Sequence, residues 1–194
     1  MPWLTFMKEV IAHNKTTGAF APSSRELADA VTDLAGVNTA NIIVEFGAGD
    51  GVFTEVILEK KKPEAFFLSL EINPTLAAAA KKRCPGALII QDSAENVARH
   101  LRDAGYDHCD TIVSSLPWTR FEEELQDRLL QAAWDALAPG GKFVTFAYAM
   151  SPYIPSGKRF FEGKLPARFG KIERVGPVWK NIPPSLVYMG RKQG

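Results

Sequence analysis

Hydrophobic positions recur along the chain in two alternating rhythms. The runs "NIIVEF", "AFFLSLE", "ALII", "DTIVS" and "KFVTFAYA", at 41–46, 65–71, 87–90, 110–114 and 142–149, are short and rich in Val, Ile and Phe. Continuous apolar runs of this length suit strands buried on both faces. Between them stand segments with helical spacing, such as "FTEVILEKK", "PTLAAAAKKR" and "EEELQDRLLQAAWDAL". Strand and helix taken in turn predict an α/β fold with a mostly parallel, doubly wound sheet. Upstream, "WLTFMKEVI" carries apolar residues at 3, 4, 6, 7, 10 and 11, and "SSRELADAVTDL" follows with Ser23 and Glu26 at capping-box spacing, so two N-terminal helices are expected. After Met150 the rhythm breaks. A short helix is expected about Arg159 to Lys164, and "KIERVGPVW" and "PSLVYMG" read as an antiparallel pair closing the sheet.

Composition changes this picture little. With 194 residues, 46% of them hydrophobic and 23% charged, the chain is expected to be one domain over 1–194, residues 1–36 forming a helical lid or membrane-facing element. Its apolar runs fall well short of the roughly 18 residues a membrane span needs, and no secretory leader pattern opens it, so a cytoplasmic location is expected. Two cysteines, Cys84 and Cys109, in no CxxC pairing, give no zinc or disulfide framework. Charge is uneven. From Lys158 onward lie nine of the 23 basic residues and two of the 22 acidic ones, a local +7 within a net charge of +1. That stretch suits an anionic partner, lipid surface or nucleic acid, and equally a solvated edge with none.

The chemistry begins at "VEFGAGDG". Gly47, Gly49 and Gly51 occupy the turn after the first strand, where absent side chains let backbone amides approach a ligand. Glu71 ends the second strand 20 residues after Gly51, placed to accept both hydroxyls of a ribose. Asp92, after the third strand, could accept from an adenine amino group. One nucleoside would then span three successive strand ends. The fourth strand runs into "SSLPWTRF", where Pro117 ends the ladder and Trp118 is expected to project past the strand's carboxyl edge into a ligand site.

With these motifs in register the chain resembles the class I S-adenosylmethionine-dependent methyltransferases. The resemblance rests on E-x-G-x-G-x-G at Glu45 to Gly51, on Glu71, on Asp92, on the loop from Ser114 to Trp118 and on "LAPGGKFV" at 137–144. It implies strand order 3-2-1-4-5-7-6 with the last strand antiparallel and S-adenosyl-L-methionine as cofactor. The residues it assigns to the cofactor are Glu45, Gly47, Gly49, Gly51, Glu71, Ile72, Asp92, Ser93 and Ser114. An NAD oxidoreductase would show G-x-G-x-x-G and a second nucleotide-binding half, and neither is present. A cofactor-binding protein without catalysis would keep the same residues, and only turnover separates it.

Two branches of that family compete for the acceptor. The chain is similar to ribosomal RNA adenine dimethyltransferases, whose corresponding loop reads N-L-P-Y, but Ser115 stands here in place of the Asn, and no counterpart of those enzymes' helical C-terminal domain is expected after the last strand. A hydroxyl is a poorer partner for a planar amino group. The chain looks more like bacterial phospholipid N-methyltransferases of the membrane-associating type, through "TTGAFAPSS" at 16–24, "SSLPW" at 114–118 and "VWKNIPPSLVY" at 178–188. That resemblance implies an amine acceptor on a phosphatidylethanolamine-type headgroup and peripheral contact with an anionic membrane, with nucleic acid the lesser alternative. Ser115, Trp118 and Tyr148 are the candidate catalytic residues, the Trp ring attracting an ammonium through its π face. An alkyl amine, with a pKa of about 10 by analogy with Lys, must lose a proton before attack. His13, Tyr148, Tyr153 or the substrate's own phosphate could take it. The helix carrying Trp3 and Phe6 suits either a lipid interface or packing over the cofactor.

Overall fold

The computed structural model describes residues 23–194. Helix α1 (Arg25–Ala35) is capped by Ser24, whose hydroxyl accepts from the Leu27 amide at 3.1 Å, rather than by Ser23. The cap sits where the stripe Leu27, Ala28, Val31 and Ala35 can be buried against the sheet, and Gly36, with φ of 71°, closes the helix in the left-handed region. The helix expected over Trp3 to Ile11 lies outside the described residues.

Five parallel strands follow with their helices: β1 (Ile42–Phe46), α2 (Val52–Lys60), β2 (Phe66–Leu70), α3 (Pro74–Arg83), β3 (Leu88–Ile90), α4 (Val97–Asp103), β4 (Cys109–Ser114), α5 (Glu123–Ala136) and β5 (Leu137–Tyr148). Two more strands, β6 (Ile172–Val178) and β7 (Ser185–Arg191), complete a seven-stranded sheet of order β3-β2-β1-β4-β5-β7-β6. β7 runs antiparallel to both β5 and β6, as the resemblance implies. Strand β5 begins five residues before the apolar run that announced it, because the Gly140–Gly141 segment exchanges backbone hydrogen bonds with Lys192 at 2.9 Å.

Alternation along the central strands assigns the two helical layers. Ile43 of β1 packs with Leu27, Val31, Val56 and Ile57 on the α1–α2 side, while Val44 and Phe46 pack with Leu101, Leu129 and Leu130 on the α4–α5 side. Each such fully buried side chain stabilises by about 1.5–3 kcal/mol relative to exposure, so a one-residue register slip is heavily penalised.

Between β5 and β6 the chain forms one irregular helix. α6 (Pro155–Lys158) widens into a π-helical turn (Arg159–Lys164) and continues as α7 (Leu165–Phe169), so the short helix expected from the sequence is the middle of a longer one. The widened turn ends two residues before Pro166, whose ring would clash with the carbonyl four residues back in a regular helix. Phe160, Phe161, Leu165 and Phe169 anchor it in the core.

Neighbouring strands β1 and β4 send their chains to opposite sides of the sheet. The crevice at their carboxyl ends is therefore where an open α/β sheet takes a ligand.

Candidate functional site

Two cavities share this crevice. The first, about 260 Å³, lies over the ends of β1 to β4 and is lined by Gly47, Gly49, Glu71, Ile72, Asp92 and Ser93, among others. The second, about 480 Å³, opens beside it toward β5 and the irregular helix. Ser115, Leu116 and Pro117 line both, so the loop after β4 is the partition between them.

In the first cavity the glycine turn is tightly built. Gly47 has φ of 86°, and a Cβ there would stand 2.9 Å from Ser115 Oγ and 3.1 Å from Leu116 Cδ2. Gly49, at φ 55°, donates its amide to Glu71 Oε2 at 3.0 Å, and a Cβ on it would meet no protein atom within 4 Å. Glu71 Oε1 accepts from the Asn73 amide at 2.8 Å. Burial pushes the Glu71 carboxyl above its ordinary range, against the pull of the Asn73, Gly49 and Ile72 amides. A carboxylate has about four acceptor positions, so these amides leave room for a ligand diol. A nucleoside donor fits this donor set: a buried carboxylate for the ribose, an open glycine turn, and apolar walls from Ile72, Leu76, Ala94, Leu125 and Leu129 for a base.

The structure redistributes several expected roles. Glu45 is fully buried on the α2 face of β1, behind the turn, where Thr54 Oγ1 and Ser69 Oγ donate to its Oε2 at 2.7 and 2.6 Å while Oε1 has no partner. Desolvation raises its pKa to about 7. It supports the turn and does not line the cavity. Gly51 heads α2 and packs on α3, a Cβ there coming within 3.4 Å of the Ala80 backbone. Asp92 lines the cavity, but Oδ1 already accepts from the Ser93 amide and Asn96 Nδ2 at 2.7 and 2.9 Å, and Oδ2 contacts Arg99 and His100 at 2.5 and 2.8 Å. Both oxygens are thereby engaged within the protein, so an adenine amino group would compete with these contacts. Burial raises its pKa, and the His100, Asn96, Ser93 and Arg99 contacts outweigh that and hold the carboxyl below its usual range.

The largest departure is Trp118. It does not project into the crevice as a free aromatic wall: it is 1% exposed, stacked on Phe160 with centroids 4.6 Å apart, and edge-on to Phe143 and Phe121 at 5.8 and 6.1 Å. Its Nε1 donates to Ser114 Oγ at 3.1 Å, so Ser114, also fully buried, anchors the indole instead of a cofactor. Pro117 does end the ladder, but the chain then folds into a 3₁₀ turn (Trp118–Arg120) that swings the ring back under the loop. Gln126 Nε2 clamps that turn by donating to the carbonyls of Trp118 and Phe121 at 2.6 and 3.3 Å. The indole is thus almost wholly enclosed, and Trp118 underlies the wall of the second cavity.

Ser115 remains at the partition, its hydroxyl donating to Gly47 O at 2.6 Å, which leaves its oxygen lone pairs to accept. Tyr148 lines the second cavity, as do Arg120, Phe161 and Ile154, none of the last three singled out in the sequence. Arg120 lies two residues beyond Trp118 in the same loop, a signal present but masked by the Trp. Burial pushes Tyr148 upward while the Arg120 charge pulls it down, with a net rise, so the phenol stays protonated near neutrality and is no proton acceptor. His13 lies outside the described residues.

The basic C-terminal stretch does not form one face. Arg159 pairs with Glu123, Lys164 with Asp127 and Lys180 with Glu26, while Arg191 and Lys192 bond carbonyls of Gly140, Trp134 and Leu137 at the opposite edge of the sheet. Among the described residues no helix is long and apolar enough to cross a membrane, and no group of His, Cys, Asp and Glu is placed to hold a metal ion.

Residues 44–145 match the family model described as a methyltransferase domain. The chain is 28% identical over 189 residues to an ornithine lipid N-methyltransferase from Singulisphaera acidiphila, covering 96% of this chain and 94% of that one. Among solved structures it is similar to an O-methyltransferase from Bacillus cereus in complex with SAH, with TM-score 0.68, 15% identity and coverage of 97% and 91%. It is likewise similar to the N-methyltransferase NodS from Bradyrhizobium japonicum, with TM-score 0.66, 18% identity and coverage of 88% and 96%.

Proposed function

Because the chain belongs to the methyltransferase domain family and takes S-adenosylmethionine as its methyl donor, we propose that it methylates the amine of a lipid headgroup. The donor supplies a methyl made electrophilic by a positive sulfur. The chain's own task is then to hold an amine lone pair in line with that methyl and to exclude water.

The observation that carries the lipid reading is the second cavity and its mouth. Pro117, Trp118, Phe146, Ala147, Ile154 and Phe161 make most of its wall apolar. Large apolar side chains stand exposed on neighbouring loops: Met150, Tyr153, Trp179 and Ile182 are between 68 and 81% exposed, and Ile154 is half-exposed. Two loops are involved, after β5 and between β6 and β7, and the Ala149 amide ties them by donating to Pro184 O at 2.7 Å. Large exposed side chains gathered at one edge suit contact with a membrane interface, where an acyl-chained acceptor could present its head to the cavity. The similarity to an ornithine lipid N-methyltransferase supports the same reading.

No carboxylate or histidine lines this cavity among the described residues. In this reading the amine gives up its proton before it is enclosed, to water or to its own acidic group, and Ser115 then orients it through an accepted N–H. Incubating the protein with methyl-labelled donor and, in parallel, phosphatidylethanolamine vesicles, ornithine lipid micelles and ribosomal RNA tests the assignment. Label in a lipid amine is expected. Label in RNA alone would return the chain to the adenine-methylating branch.

A further inference from the structure

Arg120 is the only charged side chain among the described residues lining the second cavity. Its backbone is fixed from both sides, while its side chain is exposed at the cavity's rim. Trp118, two residues before it, is locked into an aromatic cluster, Phe121 after it is buried, and Gln126 holds the carbonyls of both. Within the turn the Arg120 amide donates to Pro117 O at 2.9 Å. A guanidinium on so clamped a backbone gives up less freedom on binding than one on a mobile loop. Its planar fork of five N–H donors matches a carboxylate or a phosphate with two parallel hydrogen bonds. The remaining polar side chains on the wall, from Ser23, Ser115, Thr119, Tyr148 and Ser151, carry hydroxyls.

We infer that Arg120 is the specificity residue of the acceptor site, binding the anionic group that a zwitterionic headgroup carries beside its amine. This rests on the assignment of the second cavity to the acceptor. One anion contact at Arg120 and one amine contact at Ser115 hold the head by two points. Trp118 thereby acts through its neighbour: it builds the turn that presents the guanidinium.

The test uses the full chain saturated with S-adenosylhomocysteine and three soluble probes, O-phosphoethanolamine, ornithine and ethanolamine, titrated calorimetrically into wild type and Arg120→Gln. Wild type is expected to bind at least one of the two zwitterions roughly tenfold or more tighter than ethanolamine, in line with a charge-assisted hydrogen bond, and the preference between phosphate and carboxylate identifies the source of the anion. Arg120→Gln should reduce that preference to about twofold or less, with S-adenosylhomocysteine affinity unchanged, since a structural role would not sort ligands by charge. On lipid acceptors the variant should raise KM about tenfold with little change in kcat. Equal binding of all three probes by both proteins, no binding of any probe by wild type, or a loss in the variant shared by ethanolamine overturns the inference. Lipid methylation undiminished in Arg120→Gln overturns it while leaving the lipid reading intact. Loss of the anion preference in a protein that methylates no lipid supports Arg120 and discards the lipid.

Discussion

Replacing Trp118 by Leu should chiefly destabilise the chain. The indole is 1% exposed and makes one stacked and two edge contacts with Phe160, Phe143 and Phe121. Such ring contacts add about 0.5–1.5 kcal/mol each beyond area burial. Loss of the Nε1 hydrogen bond to Ser114 Oγ removes roughly 1 kcal/mol more. Leu refills part of the volume, so the net cost is about 3 kcal/mol, toward the lower end of Trp truncations. For a chain of 194 residues that lowers Tm by roughly 6–12 °C. Thermal unfolding, donor titration and turnover on one preparation check it. Cofactor affinity should hold, and turnover per folded molecule should fall only as far as the turn carrying Arg120 loosens, roughly threefold to fivefold and mostly in KM. The reasoning fails if stability is unchanged within about 0.5 kcal/mol while kcat collapses, because the indole would then have been touching the acceptor rather than holding the loop.

Two further outcomes follow from the carboxylates. Glu71→Gln should weaken S-adenosylmethionine binding by about 1.5–3 kcal/mol, because one oxygen can no longer accept a charge-assisted bond from the ribose, and isothermal titration that finds unchanged affinity would move the nucleoside elsewhere. Glu45 titrates at about 7 in the folded chain against an ordinary value near 4.5. A carboxyl raised on folding contributes stability that is complete below about pH 4.5 and lost as pH rises through about 7, up to about 3 kcal/mol. Glu45→Gln should therefore match wild type near pH 5 and exceed it at pH 8, and parallel pH profiles of Tm for the two proteins would refute the buried-charge account.

Much of this protein was legible in one dimension because the signals were local or periodic. Runs of Val, Ile and Phe buried on both faces, Pro74 opening α3 and the glycine turn at 47–51 each fix backbone geometry through the residues themselves, so the doubly wound sheet and the place of the first cavity follow from the sequence. What the side chains at that crevice do was decided only when distant segments met. The Asp92 carboxylate is engaged within the protein because α4 and its cap bring Arg99, His100 and Asn96 onto it, and Glu45 lies behind the turn because strand alternation points it at Thr54 and Ser69. The Pro that ends its strand predicts Trp118 projecting past the carboxyl edge; a π-helical turn some forty residues later supplies the Phe160 ring that buries it. Desolvation and packing are properties of a neighbourhood, and the sequence names the neighbours without saying which of them will touch.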